Sequence, residues 1–127
     1  MNRLANKVAI ITGASQGMGE SHSRIFVAEG AKVIMTDVNE QAGKALATEL
    51  GRNAIFIKHD VTKAEDWARV VKEGEAKFGN ITILVNNAGI LGPIAKTADL
   101  DYSAYLKVIE VNQNAPFLGM KAVIPSM

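Results

Sequence analysis

The chain has 127 residues, 48% hydrophobic and 21% charged, the balance of one globular domain and not of a disordered, collagen-like or low-complexity protein. Fourteen basic against thirteen acidic side chains leave a formal charge of +1, too little to draw in nucleic acid or an anionic membrane, so any anion must be caught locally. The absence of cysteine excludes disulfides, thiolate nucleophiles and zinc–thiolate sites, and no metal constellation can be built around two histidines. No apolar run approaches a membrane span or a signal-peptide core, so a cytoplasmic protein with neither a membrane nor a nucleic-acid partner is expected.

Lys7 to Thr12 (KVAIIT) is a short β-branched run ending at Gly13, suited to a strand buried on both faces. From Gly17 to Glu29 the pattern turns helical, with Ile25 and Phe26 on one side and Gly30 placed to end the helix. Lys32 to Thr36 is a second strand, followed by Asp37 and by Asn39, which is placed to cap a helix over Glu40 to Leu50 that stops at Gly51. Ala54 to Lys58 (AIFIK) is a third strand. Thr62, with Glu65 three residues on, reads as a capping box opening a helix to about Phe78.

Ile81 to Val85 is a fourth strand, running into Asn86, Asn87, Ala88 and Gly89. A loop from Ile90 to about Ala98 leads into a mostly helical segment over Asp99 to Ile124, with Tyr102, Tyr105, Leu106, Ile109, Phe117 and Val123 as its apolar residues and Pro116 inside it. Strand and helix alternate through the first 90 residues, with each crossover long enough for a helix. That pattern predicts an α/β domain built on a doubly wound parallel sheet.

TGASQGMG sets Gly13, Gly17 and Gly19 between the first strand and the first helix. Glycines at such a junction let a pyrophosphate approach bare amides, and the helix N-terminus adds free N–H groups and the positive end of a dipole. No Gly-Lys-Ser/Thr follows, so the cluster does not fit a phosphate-transfer loop, and its spacing is GxxxGxG and not GxGxxG. Asp37 lies 18 residues beyond Gly19 at the end of the second strand, near the offset at which an acid accepts from both ribose hydroxyls. A carboxylate there repels a 2′-phosphate and so favours NAD over NADP. Without a ligand the same residues read as a tight turn and an exposed capping aspartate.

TGASQGMG, Asp60-Val61, the NNAG of Asn86 to Gly89 and the pair Val111-Asn112, in this order and spacing, resemble the short-chain dehydrogenase/reductase family over essentially the whole chain. The resemblance implies a Rossmann fold and an NAD cofactor lined by Gly13, Ser15, Gln16, Gly17, Met18 and Gly19 at the pyrophosphate. It further implies Asp37 at the adenosine ribose, Asp60 and Val61 at the adenine, and Asn87, Ala88 and Gly89 near the nicotinamide ribose, with Asn86 tying strands together. Asn112 matches the asparagine of the family's Asn, Ser, Tyr, Lys catalytic set, whose backbone carbonyl holds a water in a proton relay. Here Pro116 has no N–H to offer that carbonyl, so a kink freeing it is expected. His59 and His22 are read as half-exposed structural residues.

The family's serine and its YxxxK pair are not found in the 127 residues: Leu106 stands four after Tyr102 and Ile109 four after Tyr105. The expectation is therefore the cofactor-binding N-terminal portion, residues 1–127, of a longer NAD-dependent oxidoreductase, inactive by itself. Its parent would act on a small-molecule secondary alcohol or ketone by hydride transfer and assemble as a homodimer or homotetramer. The alternative is a non-catalytic dinucleotide-binding module.

Overall fold

The uncharged run VAIIT has no face suited to water, and in the computed structural model, which describes residues 2–127, it forms the inner strand β1 (Val8–Thr12) with every side chain buried. Strand β2 (Lys32–Asp37) pairs with it on one side and β4 (Ile83–Val85) on the other, and β3 (Ala54–Lys58) pairs with the far edge of β2. All pairings are parallel, in the order β3-β2-β1-β4. Parallel neighbours need crossovers, supplied by helices α1 (Gly17–Ala28), α2 (Glu40–Leu50) and α3 (Ala64–Phe78).

Side chains alternate along the strands between two cores. Ala9, Ile11, Val33 and Met35 point to one face, packed with Phe26 and Val27 of α1 and Leu46 and Leu50 of α2. Val8, Ile10 and Ile34 point to the other, packed with Trp67 and Val70 of α3 and Val123. The sheet is thus covered on both faces, as the doubly wound expectation requires. Because the connections run outward from β1 through β2 to β3 and then return to β4 on the opposite side, the strand order reverses beside β1. A crevice opens at the carboxyl ends there.

Several local expectations are met and others are corrected. Asn39 caps α2 by accepting from the Ala42 N–H at 3.2 Å. Thr62 does not cap α3: the helix begins at Ala64, which puts Lys63 and not Thr62 at the cap position, and the Thr62 hydroxyl turns back to donate to Asp60 Oδ1 at 2.6 Å. Asp66, not Glu65, reaches back, accepting from the Asp60 N–H at 2.8 Å. Ile25 is exposed, and α1 buries Gly19 and Ser23. Strand β4 begins at Ile83; before it, Ile81 N–H goes to Ser126 Oγ at 2.9 Å and the Thr82 hydroxyl, not a backbone carbonyl, accepts from Val8 N–H at 2.9 Å.

The last segment is α4 (Tyr102–Ile109), one turn of π-helix over Glu110–Asn114, and α5 (Ala115–Val123). Its expected apolar contacts come largely from Val123, which is fully buried, while Tyr102, Tyr105, Leu106 and Phe117 face outward.

Candidate functional site

The turn after β1 is built by close backbone approach. Gly13 has φ +61°, and a Cβ on it would stand 2.9 Å from Ala88 Cα. A Cβ on Gly19 would overlap the Gly13 carbonyl oxygen and come within 2.7 Å of Asn87 Nδ2. The first helical turn is therefore pressed against both the glycine loop and the NNAG segment. Gln16, in extended conformation, starts α1 without a side-chain cap, and the first helical bond is Glu20 N–H to Gln16 O at 3.3 Å. The amides of Gly17, Met18 and Gly19 precede it, the arrangement that binds an anion at a helix start.

At the end of β2, Asp37 Oδ2 accepts from Ser15 N–H at 3.1 Å and Ser15 Oγ–H at 2.6 Å, and Oδ1 accepts from Asn39 N–H at 3.0 Å. The carboxylate is thereby fixed against the glycine loop. At the end of β3, the Thr62 hydroxyl on Asp60 holds that carboxyl below the usual range, with attraction from Lys63 and Lys107 adding to it. His59 departs from expectation. It is 1% exposed, stacks edge-on to Trp67 with ring centroids 4.4 Å apart, and shares a hydrogen bond with Thr36 Oγ1 at 2.9 Å from Nδ1, while Nε2 is buried without a partner. Burial pushes its pKa down to about 4.

Thr12, at the end of β1, locks the NNAG segment: its Oγ1 accepts from the N–H groups of Asn87 and Ala88, both at 3.0 Å. The side-chain amide that joins the first and fourth strands belongs to Asn87, which donates to the Thr12 and Gly13 carbonyls at 3.0 and 3.2 Å. Asn86, expected to tie strands, instead reaches the Pro116 carbonyl on α5 at 3.5 Å. Asn112 lies in the π turn and grips the loop after Gly89, with its Oδ1 accepting from Ile90 N–H and its Nδ2 donating to Ile90 O, each at 2.8 Å. Within that turn Ala115 N–H bonds Glu110 O, five residues back. The proline is thus accommodated by a π turn, and Pro116 has no N–H with which to occupy the Asn112 carbonyl.

These parts converge on a cleft of about 540 Å³ at the crevice. Gly13, Gln16, Gly17, Asp37, Asp60 and Val61 line it, and so do Asn87, Ala88 and Gly89. Ser15 is buried behind Asp37, Gly19 is buried against Gly13, and the Met18 side chain is 69% exposed outside the lining, so these three stand at the cleft through backbone or support. Asn112 acts on the lining through Ile90. Val38, His59, Ile90 and Lys107, which no sequence motif singles out, also line the cleft, and so does Val111. Val111 was signalled only as the neighbour of Asn112, and Lys107 by nothing.

The model of the short chain dehydrogenase family matches residues 7–127, which is nearly the whole chain. The chain belongs to the short-chain dehydrogenase family. Over 125 residues it is 42% identical to a 3-alpha-(or 20-beta)-hydroxysteroid dehydrogenase of Mycobacterium tuberculosis, covering 98% of this chain and 48% of that protein. It is 41% identical over 135 residues to a trans-4-hydroxycyclohexanecarboxylate dehydrogenase of Sinomonas cyclohexanicum, covering 99% and 52%. A crystal structure of a short-chain dehydrogenase/reductase from Brucella melitensis, described as a glucose/ribitol dehydrogenase, superposes with a TM-score of 0.92 at 29% identity, covering 97% of this chain and 51% of that one. The chain thus spans about half the length of the curated relatives it matches. As a short-chain dehydrogenase it has a fold associated with a nicotinamide dinucleotide, NAD or NADP. The residues fit such a group: Gly13 and Gly19 leave no room for a Cβ, the start of α1 has no side-chain cap, and the Asp37 carboxylate is held in place by Ser15.

Proposed function

We propose that the protein carrying this chain is an NAD-dependent oxidoreductase that interconverts a secondary alcohol and its ketone, and that this chain forms the cofactor side of its site. The observation that carries the reading is the convergence, at one cleft, of the uncapped start of α1, the glycine cradle closed by Asn87 and Ala88, and the Asp37 carboxylate. The amides of Gly17, Met18 and Gly19 would hold the diphosphate, with Gly13 and Gln16 beside it. Asp37, oriented by Ser15, would accept from the adenosine ribose hydroxyls and repel a 2′-phosphate, which supports NAD over NADP. Asp60 and Val61 would flank the adenine, and Asn87, Ala88 and Gly89 the nicotinamide ribose.

When bound, the nicotinamide ring supplies hydride-transfer chemistry. The chain's own residues would bind and orient it: the grip of Asn112 on Ile90 shapes the wall beside Gly89, and the Asn112 carbonyl, which receives no N–H from Pro116, would be the acceptor for a relay water. The names of these two relatives put a hydroxyl on an alicyclic compound, a hydroxysteroid in one and a hydroxycyclohexanecarboxylate in the other. The apolar, exposed Leu91 and Ile94 next to Ile90 suit a substrate of that class. Outward-facing Tyr105, Phe117 and Met120 support a homodimer or homotetramer, and no helix among the described residues is long and apolar enough to cross a membrane.

Titrating the full-length protein with NADH and NADPH, followed by a panel of alicyclic secondary alcohols, tests the proposal. NADH is expected to bind about tenfold or more tightly than NADPH, and NAD to be reduced by at least one alcohol. Binding without turnover of any member points to the non-catalytic module instead. Failure to bind either dinucleotide overturns the reading.

A further inference from the structure

Lys107 stands in α4 and lines the cleft together with Asp37, Asp60 and Val111. It is the one lysine or arginine among the described lining residues, set against two lining carboxylates, and the lining histidine, His59, has its pKa pushed down to about 4 by burial. Among the described residues, four other cations are held in ion pairs: Arg3 with Glu29, Arg24 with Glu20 and Glu49, Lys44 with Glu40, and Arg69 with Asp66. Lys107 makes no ion pair within 4.0 Å among the described residues, and its side chain is exposed. It shares the cleft with the Asp60 carboxyl, which the Thr62 hydroxyl chiefly, then Lys63 and last Lys107, holds below its ordinary range.

An uncommitted cation at the mouth of a cleft that is otherwise negative has a clear electrostatic consequence. A dinucleotide brings two phosphate charges toward Asp37 and Asp60, and without a compensating cation its approach would be opposed at long range. The near-neutral chain, at +1 overall, has no general field to offset that. We propose that Lys107 is the cation that draws the anionic dinucleotide into the cleft and compensates its phosphates there, a role that rests on the reading of the cleft as a dinucleotide site. The contribution falls mainly on the association rate, and it weakens as salt shortens the reach of the charge.

The test uses the full-length protein and NADH as the probe, with association followed by stopped-flow fluorescence from about 0.02 to 0.5 M salt. Lys107→Gln is expected to slow association by about threefold to tenfold at the low end and to flatten the salt dependence. Lys107→Glu should slow it further, and Lys107→Arg should restore it. Lys121→Gln, an exposed lysine of α5 outside the cleft lining, should match the unmodified protein. Adenosine, which lacks phosphate, should bind the Lys107→Gln variant as well as it binds the parent. An association rate and salt dependence unchanged in Lys107→Gln would overturn the inference while leaving the cleft reading intact. A parallel loss of adenosine affinity would overturn it in favour of a lysine that merely orders Asp60. If the unmodified protein binds no dinucleotide at all, the cleft reading fails and this inference fails with it.

Discussion

Asp37 braces the glycine loop and, in the function proposed above, would also meet the ligand. Its Oδ2 is held twice by Ser15, which fills that oxygen, and its Oδ1 once by Asn39, which leaves an acceptor site on Oδ1. Replacing it by arginine should remove the repulsion of a 2′-phosphate and supply a bidentate partner for one. In Asp37→Arg we expect NADPH to bind at least as tightly as NADH, as read by paired fluorescence titrations; an unchanged preference for NADH would remove Asp37 from the ribose. Its position was legible because the second strand ends at Asp37, a fixed distance past the glycine turn, and the residue does line the cleft there. The supporting Ser15 was legible only as a member of the turn, since nothing local says that its hydroxyl points backward to residue 37. His59 was misjudged for the same reason: a histidine at a strand end is half-exposed on average, and only the arrival of Trp67 from α3 seals it. Lys107 was invisible because its place at the cleft depends on how α4 crosses the sheet edge.

At the scale of elements, the site is a junction of two strand ends and an irregular helix. Thr12 closes the first part of it, accepting from Asn87 and Ala88 while 1% exposed. Thr12→Val keeps the shape and removes the acceptor. Asn87 retains the Val85 carbonyl at 3.0 Å, but the Ala88 N–H loses its partner. A loss of about 2 kcal/mol in urea unfolding is expected, largely recovered by Thr12→Ser, together with weaker NADH binding. The second part is the grip of Asn112 on Ile90. Pro116 made a disturbance of this helix legible, but its form, a π turn that presents Asn112 to the loop, was not, because the register of a bulge is set by what packs against it. Asn112→Leu should leave NADH affinity within about twofold and lower the turnover of the full-length enzyme by about a hundredfold, since a displaced wall costs alignment more than binding. Equal losses in both would assign Asn112 to cofactor binding alone.

Across the whole molecule, the fold was legible because strand-length apolar runs alternating with helical stretches leave little but a parallel sheet covered on both faces, whereas the pairing of β1 with both β2 and β4 was not, because strand order depends on which way each crossover turns. The same burial that makes the sheet also sets a pH limit on it. His59 lies in the wall between Thr36 and Trp67, and burial lowers its pKa from the ordinary 6.5 to about 4, so the folded protein holds the ring neutral where the unfolded chain would already take up a proton. A lowered histidine pKa contributes stability that is complete above 6.5 and declines as pH falls toward 4. Glu29, Glu40, Glu49 and Asp60 are also drawn down, but as carboxylates with ordinary values of 4.5 or 3.8 their contributions are lost only below those values. The interval from 6.5 down to about 4.5 therefore belongs to His59. Between pH 7 and pH 5 the protein should lose about 2 kcal/mol of unfolding free energy through this one ring. His59→Gln, which can still meet the Thr36 hydroxyl but cannot be protonated, should be less stable at pH 7 and nearly flat over the same interval. Parallel pH profiles for the two proteins, measured by urea denaturation, would show that the buried ring is not the group that titrates.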